Sequence, residues 1–143
     1  MPTPKTTRAD YKYIAPVQTR WADNDAYQHI NNVIFYSFFD SIVNRFLIEK
    51  NVLNIQGGET IGLVVETMCR YFASAAFPED LEGGLRVTKV GSSSVRYEIG
   101  IFGENVNTPR AEGHFVHVYV DTSSRKPTPL PPALRSAVES ILG

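Results

Sequence analysis

The chain has 143 residues, 14 of them basic and 15 acidic, for a net charge of -1, and 43% are hydrophobic. That is enough for one domain around one core, with an ordinary globular composition. No basic block or stripe is present, which argues against nucleic acid as a partner, and the single cysteine, Cys69, excludes an internal disulfide and fits a reducing compartment.

Met1 to Asp10 is polar, lacks the apolar centre of a signal peptide and reads as a flexible tail. Tyr13 to Trp21 alternates as a strand, with Val17, Thr19 and Trp21 on one face. Asp23 to Ile30 is a connecting loop. Asn31 has the chemistry of an N-cap, and Ile30 and Phe35 stand at the staple positions around it. Asn32 to about Lys50 then reads as one long helix, apolar on nearly every side except a stripe of Ser37, Ser41, Asn44 and Arg45. A helix of that kind must be mostly buried, by a curved sheet or by a sheet and a partner subunit. Its Asp40, Asn44 and Arg45 make it too polar to span a bilayer, so no membrane partner is expected and the protein reads as cytoplasmic.

Strands are expected over Ile61–Phe72, over Leu85–Val90 after a Glu82-Gly83-Gly84 turn, over Val95–Phe102 and over Ala111–Val120. The short connections Gly91 to Ser94 and Gly103 to Pro109 make antiparallel hairpins of the last three. A prolyl segment leads into a short helix, Ala133 to Leu142. The expected architecture is α+β: an antiparallel sheet wrapped around one long central helix, with a short C-terminal helix.

Chemistry-bearing residues concentrate in Trp21-Ala22-Asp23-Asn24-Asp25-Ala26-Tyr27-Gln28-His29-Ile30-Asn31-Asn32. This run delivers carboxylates to the start of the long helix, where unpaired N–H groups can hold developing negative charge. A base or nucleophile beside such donors is what acyl transfer requires. Asp25 is the expected catalyst, with Asp23 as the alternative carboxylate. His29 either assists with water and the leaving group or closes the loop through a structural hydrogen bond. Asn31 and Asn32 cap the helix and offer N–H groups to an oxyanion. Glu66 lies mid-strand, either as a second candidate carboxylate or on a surface face paired with Arg70. Cys69, His114 and His117 read as structural, and no His/Cys/Asp grouping has metal-ligand spacing, so no metal is expected.

The run Arg20-Trp21-Ala22-Asp23-Asn24-Asp25 followed by His29-Ile30-Asn31-Asn32, with Phe77-Pro78-Glu79-Asp80-Leu81 later, resembles the hotdog-fold acyl-CoA thioesterases of the 4-hydroxybenzoyl-CoA thioesterase type. The resemblance extends from Tyr13 to about Val120. It implies a hotdog fold and hydrolysis of acyl-CoA or acyl carrier protein thioesters at a site shared by two copies, in a homodimer or homotetramer. Coenzyme A is then part of the substrate, and no separate cofactor is needed. The resemblance assigns catalysis to Asp25, acting as nucleophile or as general base, and keeps the family's histidine as His29; the residues themselves add Asn32 to the expected catalytic set and Asn31, Tyr27 and Glu66 as expected substrate contacts. Tyr27 stands where related plant enzymes carry an asparagine. Where the family has a basic run for the nucleotide phosphates, this chain has Gly91-Ser92-Ser93-Ser94, which leaves Lys89, Ser92 and Ser93 as the expected contacts. A non-catalytic acyl-CoA binder and an enoyl-thioester hydratase are the alternatives on the same fold.

Overall fold

The computed structural model describes residues 2–53 and 58–143. Its elements are β1 (Tyr13–Gln18), α1 (Asn32–Glu49), β2 (Thr60–Tyr71), β3 (Asp80–Val90), β4 (Ser94–Gly103), β5 (Pro109–Asp121) and α2 (Pro132–Glu139). The strands form one sheet in the order β1-β3-β4-β5-β2, and each neighbouring pair is antiparallel. α1 packs on one face of it, as in the hotdog fold. β3–β4 and β4–β5 are hairpins as expected. β2 crosses instead to the far edge and pairs with β5.

The burial pattern of α1 explains its seat. Phe35, Phe38, Phe39, Ile42, Val43, Phe46 and Leu47 are buried, at the three- and four-residue spacing that makes one helical face. They meet Leu85, Val87, Val95, Tyr97, Ile99 and Ile101 in one cluster. Burying each phenylalanine contributes about 2–3 kcal/mol, so the helix has a strong preference for this register. Val33 and Ile48 remain exposed, so a single chain does not wrap the helix completely.

Three expectations are corrected. Glu82-Gly83-Gly84 is not a turn but lies inside β3, which begins at Asp80 and pairs with β1 and β4 through these residues. The glycines are there for close approach: a Cβ on Gly83 would stand 2.5 Å from Ile42, and one on Gly84 would stand 2.7 Å from the Tyr11 ring. β1 ends at Gln18, and Trp21 opens a 3₁₀ turn with its side chain 75% exposed, so it does not share a buried face with Val17 and Thr19. The N-terminal segment, expected as a free tail, is fastened across the face of the sheet opposite α1. The N–H groups of Lys5 and Thr6 donate to Glu112 at 2.9 and 2.7 Å, and Arg8 pairs with Glu82 at 2.9 Å.

His117 lies on the α1 side of β5, only 5% exposed, among Tyr97, Phe115 and Tyr119. Its Nε2 has no hydrogen-bond partner among the described residues. Burial disfavours the imidazolium and lowers its pKa from 6.5 to about 4, partly opposed by the charge of Asp40. The neutral ring suits the fold, so the His117 contribution is complete above pH 6.5 and is lost as pH falls towards 4, by about 1.4 kcal/mol per pH unit. Urea unfolding at pH 7 and pH 5 is expected to show this loss in the wild type. His117→Phe should keep the pH 7 stability and lose less on acidification; identical pH slopes in the two proteins would exclude His117 as the source.

Candidate functional site

The loop between β1 and α1 is built on Asp23. Its side chain is 1% exposed and accepts the Arg20 N–H at 2.8 Å and the Arg20 guanidinium at 3.1 and 2.8 Å. Its backbone carbonyl accepts the Asn31 N–H at 3.0 Å. One residue thus ties the end of the strand to the start of the helix. Both carboxylate oxygens of Asp23 are engaged by Arg20.

Asp25 is half-buried. Its Oδ1 accepts the Tyr27 N–H at 2.8 Å, and its own N–H donates to the His29 carbonyl at 2.9 Å. The second carboxylate oxygen makes no hydrogen bond among the described residues. Asp25 lines a cavity of about 540 Å³ with Trp21, Ala22, Asn24, Gln28, Ala76 and Phe77. Trp21 and Phe77 meet edge to face with ring centroids 6.2 Å apart and form its aromatic wall. A second loop, residues 72–79, closes the cavity. It is joined to the first by Phe77 N–H to Asn24 Oδ1 at 3.0 Å and by Ile30 N–H to the Ala75 carbonyl at 2.7 Å. Its far end is anchored by Glu79, whose carboxyl is held below the usual range chiefly by Arg110, 2.8 Å away.

The helix start supplies a donor. Asn31 caps α1, its side chain accepting from Val33 N–H at 3.0 Å, while its carbonyl takes the Ile34 N–H. The Asn32 N–H finds no acceptor among the described residues, and its carbonyl is fixed by the Tyr71 hydroxyl at 2.7 Å. Asp25 within the loop thus has one carboxylate oxygen, and Asn32 at the loop's end one N–H, without a partner among the described residues.

The remaining expected residues separate by location. Tyr27 and His29 are exposed, and each serves Asp25 through its backbone. Glu66 is on the face of the sheet away from α1; it pairs with His114 at 2.8 Å and with Arg96 at 4.0 Å, rather than with Arg70. Lys89, Ser92 and Ser93 lie at the opposite end of β3 from the Asp25 loop, separated by roughly 33 Å of strand. The Ser92 and Ser93 carbonyls accept Leu130 N–H and Tyr119 N–H, which seats this turn against the segment leading into α2. Gln28, which the sequence did not single out, lines the Asp25 cavity in a left-handed conformation, with φ of 64°. The Cys69 thiol is pushed up to about 11 by burial, which removes it as a nucleophile.

The described residues contain no group of three His, Cys, Asp or Glu side chains able to hold a metal ion, and no helix long and apolar enough to cross a membrane. A family model described as the thioesterase-like superfamily matches residues 19–138. The crystal structure of the PA5185 protein of Pseudomonas aeruginosa strain PAO1 superposes with a TM-score of 0.95, at 48% identity, covering 98% of each chain. Slr0204, a 1,4-dihydroxy-2-naphthoyl-CoA thioesterase from Synechocystis, gives 0.82 at 20% identity over 90% of this chain and 96% of that one. A thioesterase from Thermus thermophilus, complexed with coenzyme A and Zn, gives 0.74 at 23% identity over 92% and 95%.

Asp23→Ala is expected to lower stability by roughly 2 kcal/mol, because it strands the Arg20 N–H and removes the acceptor of the Arg20 guanidinium. Urea denaturation measures the loss, and a change within about 0.5 kcal/mol, the level of an ordinary surface substitution, would show that Asp23 does not secure the loop.

Proposed function

The chain belongs to the thioesterase-like superfamily, and from that premise we propose that it hydrolyses acyl thioesters of coenzyme A or acyl carrier protein to free acid and thiol, with Asp25 as general base. The observation that carries this reading is an Asp25 oxygen with no partner among the described residues, facing an aromatic-walled cavity in the loop that leads to α1, whose Asn32 N–H is likewise without an acceptor there. With one carboxylate oxygen pinned by Tyr27 N–H, the other takes a proton from water more readily than it reaches out as a nucleophile. The water oxygen bonds to the thioester carbon, its proton passes to Asp25, and the carbonyl electron pair moves onto oxygen held by Asn32 N–H. Collapse reforms the carbonyl and breaks the C–S bond, and the thiolate recovers the proton from Asp25. A single oxyanion donor of this kind is typically worth about 3 kcal/mol in the rate.

A second copy of the chain completes the site in this reading. The sheet has two edges with different character. β1 is short, and Pro16 removes one of its N–H groups. β2 is twelve residues long and exposes Leu63, Val64 and Val65, the last to 60%. A long apolar edge of that kind calls for a partner strand. Two-fold pairing of β2 edges runs the sheets in opposite directions, which carries the Lys89–Ser93 end of one chain towards the Asp25 end of the other. That removes their separation within one chain as an objection to Lys89, Ser92 and Ser93 as contacts for the phosphates of coenzyme A.

Asp25→Asn is expected to reduce thiol release from acyl-CoA by about 10³-fold, within the range for loss of a general base, with circular dichroism and oligomeric state unchanged. Retained turnover would remove Asp25 from the mechanism. Val65→Lys is expected to convert a dimer into monomers by light scattering and to lower activity with it; a fully active dimer would rule out the β2 edge as the interface.

A further inference from the structure

Gln28 occupies a position that glycine would fill without strain. Its φ of 64° places the backbone in the left-handed region, where a Cβ crowds the neighbouring carbonyl. The turn sets this conformation, with the Gln28 N–H donating to the Asp25 carbonyl at 3.0 Å. Packing does not offset the strain: the side chain is exposed, and its carboxamide makes no hydrogen bond among the described residues. It does line the cavity that contains Asp25. A non-glycine residue held in such a conformation beside a catalytic group is a reason to look for a role in that group's chemistry.

The polar inventory of the cavity narrows the role. Asn24 Oδ1 is engaged by Phe77 N–H, and Asp25 Oδ1 by Tyr27 N–H. The side-chain acceptors left among the lining residues are the second Asp25 oxygen and Gln28 Oε1. A water whose two O–H groups both find acceptors is held with a lone pair facing the thioester carbon. One goes to Asp25, to which the proton transfers. We propose that Gln28 is a further catalytic residue of this site: its Oε1 accepts the second O–H of the attacking water and fixes the direction of attack. The proposal rests on the reading of Asp25 as general base on a thioester.

The test uses the full chain and three probes, acetyl-, octanoyl- and benzoyl-coenzyme A, with thiol release as the readout. Gln28→Gly removes the acceptor and relieves the backbone, so the expected variant is at least as heat-stable as the wild type. Its kcat falls about 10²-fold on every probe that the wild type turns over, and KM stays within about twofold. Gln28→Glu keeps an acceptor of the same reach and should recover the rate to within about tenfold of the wild type. Its added charge beside Asp25 moves the acid limb of the rate profile to higher pH. Wild-type kcat in Gln28→Gly would overturn the proposal while leaving Asp25 in place. A loss confined to KM, or to one acyl group, would also overturn it, since that marks a substrate contact rather than a water ligand. No turnover of any probe by the wild type, or full turnover by Asp25→Asn, would overturn the underlying reading and this proposal with it.

Discussion

The buried carboxylate of Asp23 is the interaction on which the site depends. Through its side chain it fixes the Arg20 backbone at the end of β1, and through its carbonyl it fixes Asn31 at the start of α1. The two residues that could do chemistry, Asp25 and Asn32, sit between and just beyond these anchors. Their relation is therefore set by a charge-assisted hydrogen-bond network that water barely reaches, since Asp23 is almost wholly enclosed. Arg20 can remain exposed, because its task is to satisfy the acid rather than to fill space. The second loop adds a further constraint. It is stitched to the first through Asn24 and Ile30 and to the sheet through Glu79 and Arg110, so the cavity wall does not rely on the short loop alone.

Behind the loop, the sheet holds the helix start in place. The aromatic stripe of α1 penetrates deeply where strand side chains are absent, Ile42 reaching towards Gly83 and Phe39 towards Gly113. The N-terminal segment uses the same device on the other face, with Tyr11 laid over Gly84 and Gly100. Glycines on both faces of the sheet thus let two layers approach it, and a slide of α1 would bring its large side chains against strand side chains with no gap to receive them. The same packing fixes the start of the helix relative to the sheet.

Much of this architecture was legible in the chain. The period-two pattern of Val95–Phe102 and Ala111–Val120, and the nearly all-apolar run after Asn32, were sufficient for an antiparallel sheet around one helix. Asn31 as the N-cap followed from local chemistry. The misread pieces share a cause: each depends on a tertiary neighbour. Gly83 and Gly84 look like a turn until Ile42 and Tyr11 arrive. Trp21 continues an alternating pattern, yet the Arg20–Asp23 clasp ends the strand and turns the ring out over Phe77. Glu66 on a strand shows nothing of which face it will take, and a bulge beside it, between Val64 and Glu66, offsets its register with β5. Gln28 carries no sequence signal, since its left-handed φ is a property of the closed turn.

The neighbouring aspartates illustrate how one short motif divides its labour. Two carboxylates separated by a single residue invite the idea of a shared proton, as in a dyad. Their surroundings argue otherwise. Asp23 is saturated by donors from Arg20 and turned into the protein, whereas Asp25 keeps one oxygen open and faces a cavity. The Arg20 guanidinium pairs with Asp23 at 2.8 Å. In this motif one acid serves structure, and the other is left with an open oxygen beside a cavity.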